Sequence, residues 1–398
     1  MLEQIYLIAR EYRENSGSYA NYVEEVARYA HSKGHAVTIL CGDGKEKAGK
    51  EVTNYAVIDR FPLPKRKMPV LGMNLDYFSL SFSVRSYFKK NPQGRKNYII
   101  IANGRAALGV LRQRYVMRAG QPAFTFLHNM ELAKEQVSLK TRAARFLHFS
   151  IQAVPEFLCA RFASAYLFPS QETRDLWRKQ YGMNRKPTFI PFAGVKFEKL
   201  SGGKPLPMEG RTLLFISAGG EKVRKGVVTL EQALPDIFER YPDVKLIHIG
   251  DKMDWSIPEK FRDRIISTGR VSWSQMSDYY ATADVMVSTA LSEGFPNIIL
   301  EAMAAGKAIV TSDINGITDY ITDGKEGLIY KRGDVTGLKK ALSYMLDNVK
   351  QREQMGKAAR EKISAIDYPV YLGTLMSFLD ELSEGRRPQP VNLLKPDS

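Results

Sequence analysis

Short apolar runs and amphipathic stretches alternate along the chain. Residues 4–9 read as a strand, apolar from Ile5 to Ala9, and Ser16-Gly17-Ser18 supplies a turn after it. Residues 19–33 then place Tyr22, Val23, Val26, Tyr29 and Ala30 on one helical face, closed by Gly34. Residues 36–41 read as the next strand. Residues 98–102 and 123–128 read as short buried strands with a basic helix over 106–118 between them, and 166–169 and 188–190 close the first sheet. The Gly- and Pro-rich segment Ser201-Gly202-Gly203-Lys204-Pro205-Leu206-Pro207 lacks an apolar period and predicts a linker over 196–210. The alternation restarts with a strand over 212–217, a helix over 227–240 and strands over 245–250 and 264–268. Such alternation predicts two α/β domains, 1–195 and 211–366, each a parallel sheet wrapped by helices. An amphipathic helix over 367–385 follows, and the polar segment 386–398 reads as a disordered tail. No repeat of solenoid period is evident.

Composition narrows the function classes. A chain of 398 residues can build two full cores, and 44% hydrophobic with 25% charged residues fits an ordinary globular protein. Two cysteines, Cys41 and Cys159, argue against a disulfide framework and suit the cytosol. The five histidines show no metal-ligand spacing. The N-terminal apolar run is too short for a signal peptide and carries Glu3. The apolar window 146–168 contains His148, Pro155, Glu156 and Arg161, which predicts that it does not span a membrane. The expected location is therefore the cytoplasm.

The net charge of +15 is unevenly placed. Residues 1–192 hold 30 basic and 15 acidic side chains, while the remainder is balanced. Residues 60–150 carry 17 basic side chains against Asp76, Glu131 and Glu135. Charge this lopsided favours an anionic partner. Arg112, Arg114, Arg118 and Lys65-Arg66-Lys67 read as collective surface charge. The apolar residues between 146 and 162 have helical spacing that suits core packing, with contact to a membrane interface as the alternative.

The most informative stretch is Ser292-Glu293-Gly294-Phe295-Pro296-Asn297-Ile298-Ile299-Leu300-Glu301-Ala302-Met303-Ala304-Ala305-Gly306. Pro296 suits a first helical turn, and Gly294 permits close approach of a ligand to the backbone. The helix start offers unpaired N–H groups to an anion. Glu293 on the loop and Glu301 two turns along the helix can each accept hydrogen bonds from different hydroxyls. Diphosphate at the helix tip and sugar hydroxyls on either side would satisfy this arrangement. A second cluster, Glu221-Lys222-Val223-Arg224-Lys225-Gly226, lies between a strand and a helix. Its cations suit a diphosphate and the negative charge that grows on a leaving group.

These segments, with the Tyr279-Tyr280-Ala281-Thr282-Ala283-Asp284 lead-in and the Asn315-Gly316-Ile317-Thr318-Asp319 follow-on, resemble the family 4 retaining glycosyltransferases of the GT-B fold and their E-x7-E signature. The resemblance spans roughly residues 1–385. It implies two Rossmann-like domains facing a central cleft, with a C-terminal helix crossing back to the first. It assigns catalytic positions to Glu293, Lys225 and His128. It assigns donor contacts to Gly17, Arg224, Lys225, Arg270, Val271, Glu293, Gly294, Phe295, Pro296, Asn297, Ile298 and Glu301. The family's usual Arg position falls near Gly219-Gly220, which leaves Lys222 and Arg224 as alternative second phosphate ligands. Only Gly17 remains of the usual Gly-Gly pair after the first strand. Asn129 sits beside His128 and could serve the same hydroxyls.

The resemblance further implies transfer of a hexosyl unit from a nucleotide-diphospho sugar, a UDP-sugar favoured, to a lipid-linked or anionic glycan in cell-surface polysaccharide synthesis. No Asp-x-Asp motif accompanies the donor segments, so no metal or other cofactor is expected. Two alternatives stand beside this expectation: a GT-B nucleotide-sugar epimerase, and a catalytically inactive GT-B partner subunit. A nucleic-acid-binding role lacks any recognisable module. The basic N-terminal half leads to an expected peripheral association with the inner face of the cell membrane.

Overall fold

The apolar runs of the first half become the inner strands of one sheet. The computed structural model describes residues 2–13, 18–43, 47–63, 69–93, 97–123, 139–183, 185–217, 222–293 and 297–395. They divide into two units. One comprises the described residues within 2–123, 139–194 and 368–395; the other comprises those within 195–367.

In the first unit, β1 (Gln4–Glu11), β2 (Ala36–Gly42), β3 (Gly49–Val52), β4 (Val57–Phe61), β5 (Tyr98–Asn103), β6 (Tyr115–Arg118), β7 (Ala165–Leu167) and β8 (Thr188–Ile190) form one sheet. Its order is β8-β7-β6-β5-β1-β2-β4-β3, with a terminal strand, Val391–Asn392, beyond β8. Only the β3–β4 hairpin pairs antiparallel. Burial on both faces explains the near-continuous hydrophobicity of β1, β2 and β5.

Several sequence expectations are corrected here. The basic helix over 106–118 is instead a 3-10 turn, Gly104–Val110, followed by strand β6. Tyr115, Val116 and Met117 are fully buried and pair with β5, so sheet pairing overrides the helical reading. Arg114 and Arg118 are consequently not free surface charge. Arg118 lies 3.6 Å over the Phe192 ring and 4.7 Å over Tyr22. Arg114 donates to the Leu382 and Ser383 carbonyls at the end of the helix Tyr368–Ser383. That helix packs on the first unit through Phe189, whose ring meets Tyr371 at 5.6 Å and Phe378 at 5.4 Å. The segment expected as a disordered tail carries the terminal strand, because Val391 and Asn392 complete the β8 edge. The helix Leu139–Phe162 departs from core packing: Phe146, Leu147, Val154, Phe157 and Phe162 are exposed.

In the second unit, β9 (Thr212–Ser217), β10 (Lys245–Gly250), β11 (Ile265–Gly269), β12 (Val285–Ser288), β13 (Ala308–Ser312) and β14 (Leu328–Tyr330) form an all-parallel sheet. Its order is β11-β10-β9-β12-β13-β14. Leu213, Phe215, Leu246, Val285, Val287 and Val310 meet the apolar faces of the helices Val227–Arg240 and Val335–Asp347 in one core. The expected linker is bound rather than free. Phe197–Ser201 is a short helix, and the Lys204 and Leu206 amides donate to Asp278 and Thr282 on the helix Met276–Thr282.

Candidate functional site

Strand order alone points to a place in the second unit. The direction of winding reverses between β9 and β12, and the carboxyl ends of such strands form the ligand crevice of open α/β sheets. The two segments singled out in the sequence leave the sheet from these two strand ends.

The cation loop is fastened to the segment that follows β12. Leu291 N–H donates to the Arg224 carbonyl at 2.8 Å, and the Thr289 hydroxyl donates to the Lys225 carbonyl at 2.8 Å. Gly226 caps the helix Val227–Arg240 at φ +63°, where a Cβ would stand 1.7 Å from the Thr289 carbonyl oxygen. Only glycine fits that conformation and that approach. The fastening brings both cations onto Glu293: Lys225 Nζ lies 2.5 Å from one carboxylate oxygen and Arg224 Nη1 lies 2.8 Å from the other. All three side chains are largely enclosed. Lys222 instead donates to the Asp254 carbonyl at 2.6 Å. Of the two alternatives, Arg224 is the one beside Lys225.

Glu301 sits on the helix Asn297–Ala304, to which Asn297 and Ile298 contribute the first two residues. The Tyr280 hydroxyl donates to its carboxylate at 2.8 Å. Burial pushes the Glu301 carboxyl up to about 7, against the hydrogen bonds from Tyr280 and Trp273, which hold it down. Such a group favours its protonated form in the fold. The stability it supplies is full below the ordinary carboxyl range and is lost as pH rises through about 7. Acceptance of hydroxyl donors runs the other way and needs the anion. UDP affinity measured by calorimetry is therefore expected to weaken as pH falls through about 7, with Glu301→Gln flattening that dependence. Affinity that rises on acidification in the parent would overturn the assignment.

Arg270 is exposed and paired with Asp251 at 2.5 and 3.0 Å, and Val271 follows it past the end of β11. This pair stands at the ends of β10 and β11, away from the β9–β12 reversal. Gly17, His128, Asn129, Gly294, Phe295 and Pro296 lie outside the described residues. Sequence reasoning missed three supports. Thr289 and Tyr280 are named above. The third is His248, whose Nε2 is 2.8 Å from Ser217 Oγ at the end of β9. Burial depresses its imidazole to about 4, so it is neutral at pH 7 and serves as a hydrogen-bonded strut. A polar residue inside an apolar strand was the only available signal. Among the described residues no group of three His, Cys, Asp or Glu is placed to hold a metal ion.

Known proteins share both sequence and fold with this chain. Residues 19–193 match the family model Glycosyltransferase Family 4, and residues 196–362 match Glycosyl transferases group 1. A phosphatidyl-myo-inositol mannosyltransferase of Mycolicibacterium smegmatis is 30% identical over 181 residues, 44% of this chain and 47% of the relative. The match thus spans about half the length of that relative. Among solved structures, sucrose-phosphate synthase from Thermosynechococcus elongatus superposes with a TM-score of 0.75 at 18% identity, covering 96% of this chain and 99% of that one. An Anabaena protein in complex with UDP and glucose gives 0.64 at 16% identity, covering 95% and 100%. Two glycosyltransferase models in succession, and two Rossmann-like units with these structural neighbours, make the chain a glycosyltransferase of the GT-B fold.

Proposed function

We propose that the chain is a retaining hexosyltransferase that takes a nucleotide-diphospho sugar, a UDP-sugar favoured, and glycosylates a lipid-linked or anionic glycan in cell-surface polysaccharide synthesis. The observation that carries this reading is the pinned triad Arg224, Lys225 and Glu293 at the reversal of strand order, with Glu301 on the following helix. In this reading the two cations take the diphosphate. Glu301 takes ribose hydroxyls, and Glu293 takes hydroxyls of the sugar. The bond from the anomeric carbon to the phosphate oxygen breaks and the bond to the acceptor oxygen forms on the same face. The acceptor proton passes to the departing phosphate oxygen, so no protein base is required. Charge growing on that oxygen is met by Lys225 and Arg224, a task that would otherwise fall to a metal ion. The Anabaena structure's UDP and glucose support the donor class.

The acceptor half of the proposal rests on the first unit. The helices Pro69–Lys90 and Leu139–Phe162 pack against each other and expose Phe78, Phe82, Phe146, Val154 and Phe157. Exposed apolar side chains within a cationic half of the chain fit an anionic lipid surface. The M. smegmatis relative is named for a lipid acceptor. Among the described residues no helix is long and apolar enough to cross a membrane. The reading places the chain peripherally on the inner face of the cell membrane, on the cytoplasmic side.

Incubation with a panel of nucleotide sugars in excess EDTA, with and without anionic vesicles, tests the whole reading. Release of one nucleoside diphosphate is expected, undiminished by chelator, from protein that sediments with anionic vesicles at low salt. Phe82→Asp with Val154→Asp should weaken sedimentation. Loss of release in EDTA with recovery on magnesium or manganese would overturn the metal-free step. Equal indifference to neutral and anionic vesicles would leave a soluble acceptor. No release from any donor would sink the enzyme.

A further inference from the structure

Glu293 is the residue whose surroundings fit least with a single task. A carboxylate meant for sugar hydroxyls here spends both of its oxygens on the two phosphate cations, one oxygen to each. We infer that Glu293 is an internal stand-in for the donor diphosphate: it holds Arg224 and Lys225 while the site is empty and is released toward the sugar when phosphate takes them over. The inference rests on the donor reading given above.

Three observations support the exchange. First, the loop that carries the cations is fastened at its backbone by Leu291, Thr289 and the glycine turn at 226, so both side chains stay rooted where Glu293 now holds them and a diphosphate must meet them there. Second, the carboxylate presents two oxygens to two cations, as a pair of phosphate oxygens would. Third, the balance of charge requires a choice. Two cations against one carboxylate leave a single surplus positive charge, and an arriving diphosphate is a like charge competing with Glu293 for the same two partners. Lys222 supplies no relief, since its ammonium is held at the Asp254 carbonyl. Diphosphate arrival and the freeing of Glu293 are then one event, and the hydroxyl-binding carboxylate becomes available only when a donor is present.

The consequence runs against the usual effect of deleting a site residue. Glu293→Gln keeps shape and removes the competing charge. It is expected to bind UDP and inorganic pyrophosphate about fivefold more tightly than the parent, the scale of one ion pair, while sugar transfer falls. Its affinity should also decline more steeply with salt, because the cations meet the ligand without an internal screen. Glu293→Asp keeps the charge and should bind pyrophosphate as the parent does. A measurement without any substitution completes the test. In parent protein carrying 13C-labelled glutamate carboxyls, one resonance should shift on saturation with pyrophosphate, and that resonance should be missing from Glu293→Gln. Equal or weaker pyrophosphate binding by Glu293→Gln, or no carboxyl shift in the parent, would overturn the inference and leave the donor site standing. Failure of the parent to bind any nucleoside diphosphate would remove both.

Discussion

Lys225→Ala is expected to lower donor turnover by two to three decades, the loss of about 2.7–4 kcal/mol typical of removing one preorganised group that stabilises developing negative charge. The fold should be little affected. Arg224 remains on Glu293 at 2.8 Å, and the loop keeps its hydrogen bonds through the 224 and 225 carbonyls, which the substitution does not touch. The rate should therefore fall much more than the melting temperature. Affinity for the nucleotide should fall less than the rate, because ground-state diphosphate still meets Arg224. Single-turnover kinetics on the best donor of the panel, together with a thermal melt, separate these quantities. Turnover within threefold or so of the parent would remove Lys225 from the chemistry.

Gly226→Ala should do the opposite and break the frame while leaving every charged group in place. The residue sits at φ +63°, which costs about 1–2 kcal/mol for an L side chain. Its new Cβ would stand 1.7 Å from the Thr289 oxygen, a distance no packing accommodates. Relief requires the cation loop and the strand exit to part. That separation gives up the bonds from Leu291 and Thr289 at about 1 kcal/mol each. A destabilisation of about 3 kcal/mol or more is expected by urea unfolding, with loss of UDP binding. A variant with the parent's unfolding midpoint and affinity would show that the close approach does not govern the site.

Much of the local geometry of this candidate site is legible in the sequence. Both segments follow strand ends and open helices, so turn residues and apolar runs place Lys225 and Glu293 on loops and Glu301 on a helix, as the structure has them. What the sequence left open was decided by contacts between residues far apart in the chain. Lys222 and Arg224 are both cations on one loop, and only Asp254 and Glu293 tell them apart. Arg114 and Arg118 read as surface charge because periodicity does not reveal that one caps distant carbonyls and the other lies between aromatic rings. The run 106–118 reads as a helix for a related reason: a basic stretch of that length masks a four-residue strand that only its partners β5 and β7 define. The polar composition of 386–398 predicts disorder because two residues of edge pairing leave no compositional trace. The resemblance gives Glu293 to hydroxyl contacts, whereas in the structure both of its oxygens engage the cations.

The late position of the helix Tyr368–Ser383 bears on how the chain is made. The first unit draws on both ends of the sequence. Leu2 donates to Asp380, Arg114 caps that helix, and Phe189 meets Tyr371 and Phe378. The described residues of the second unit run without interruption by the first from Val195 to Asp367. During synthesis, the sheet of the first unit therefore keeps part of its apolar surface uncovered until the helix Tyr368–Ser383, which follows the whole second unit in sequence, has been made. The second unit, begun later, has its six described strands in one uninterrupted stretch and needs no segment from beyond Asp367. Covering of the first sheet is thus deferred past the second unit, and its apolar surface is the one most in need of protection while the chain grows.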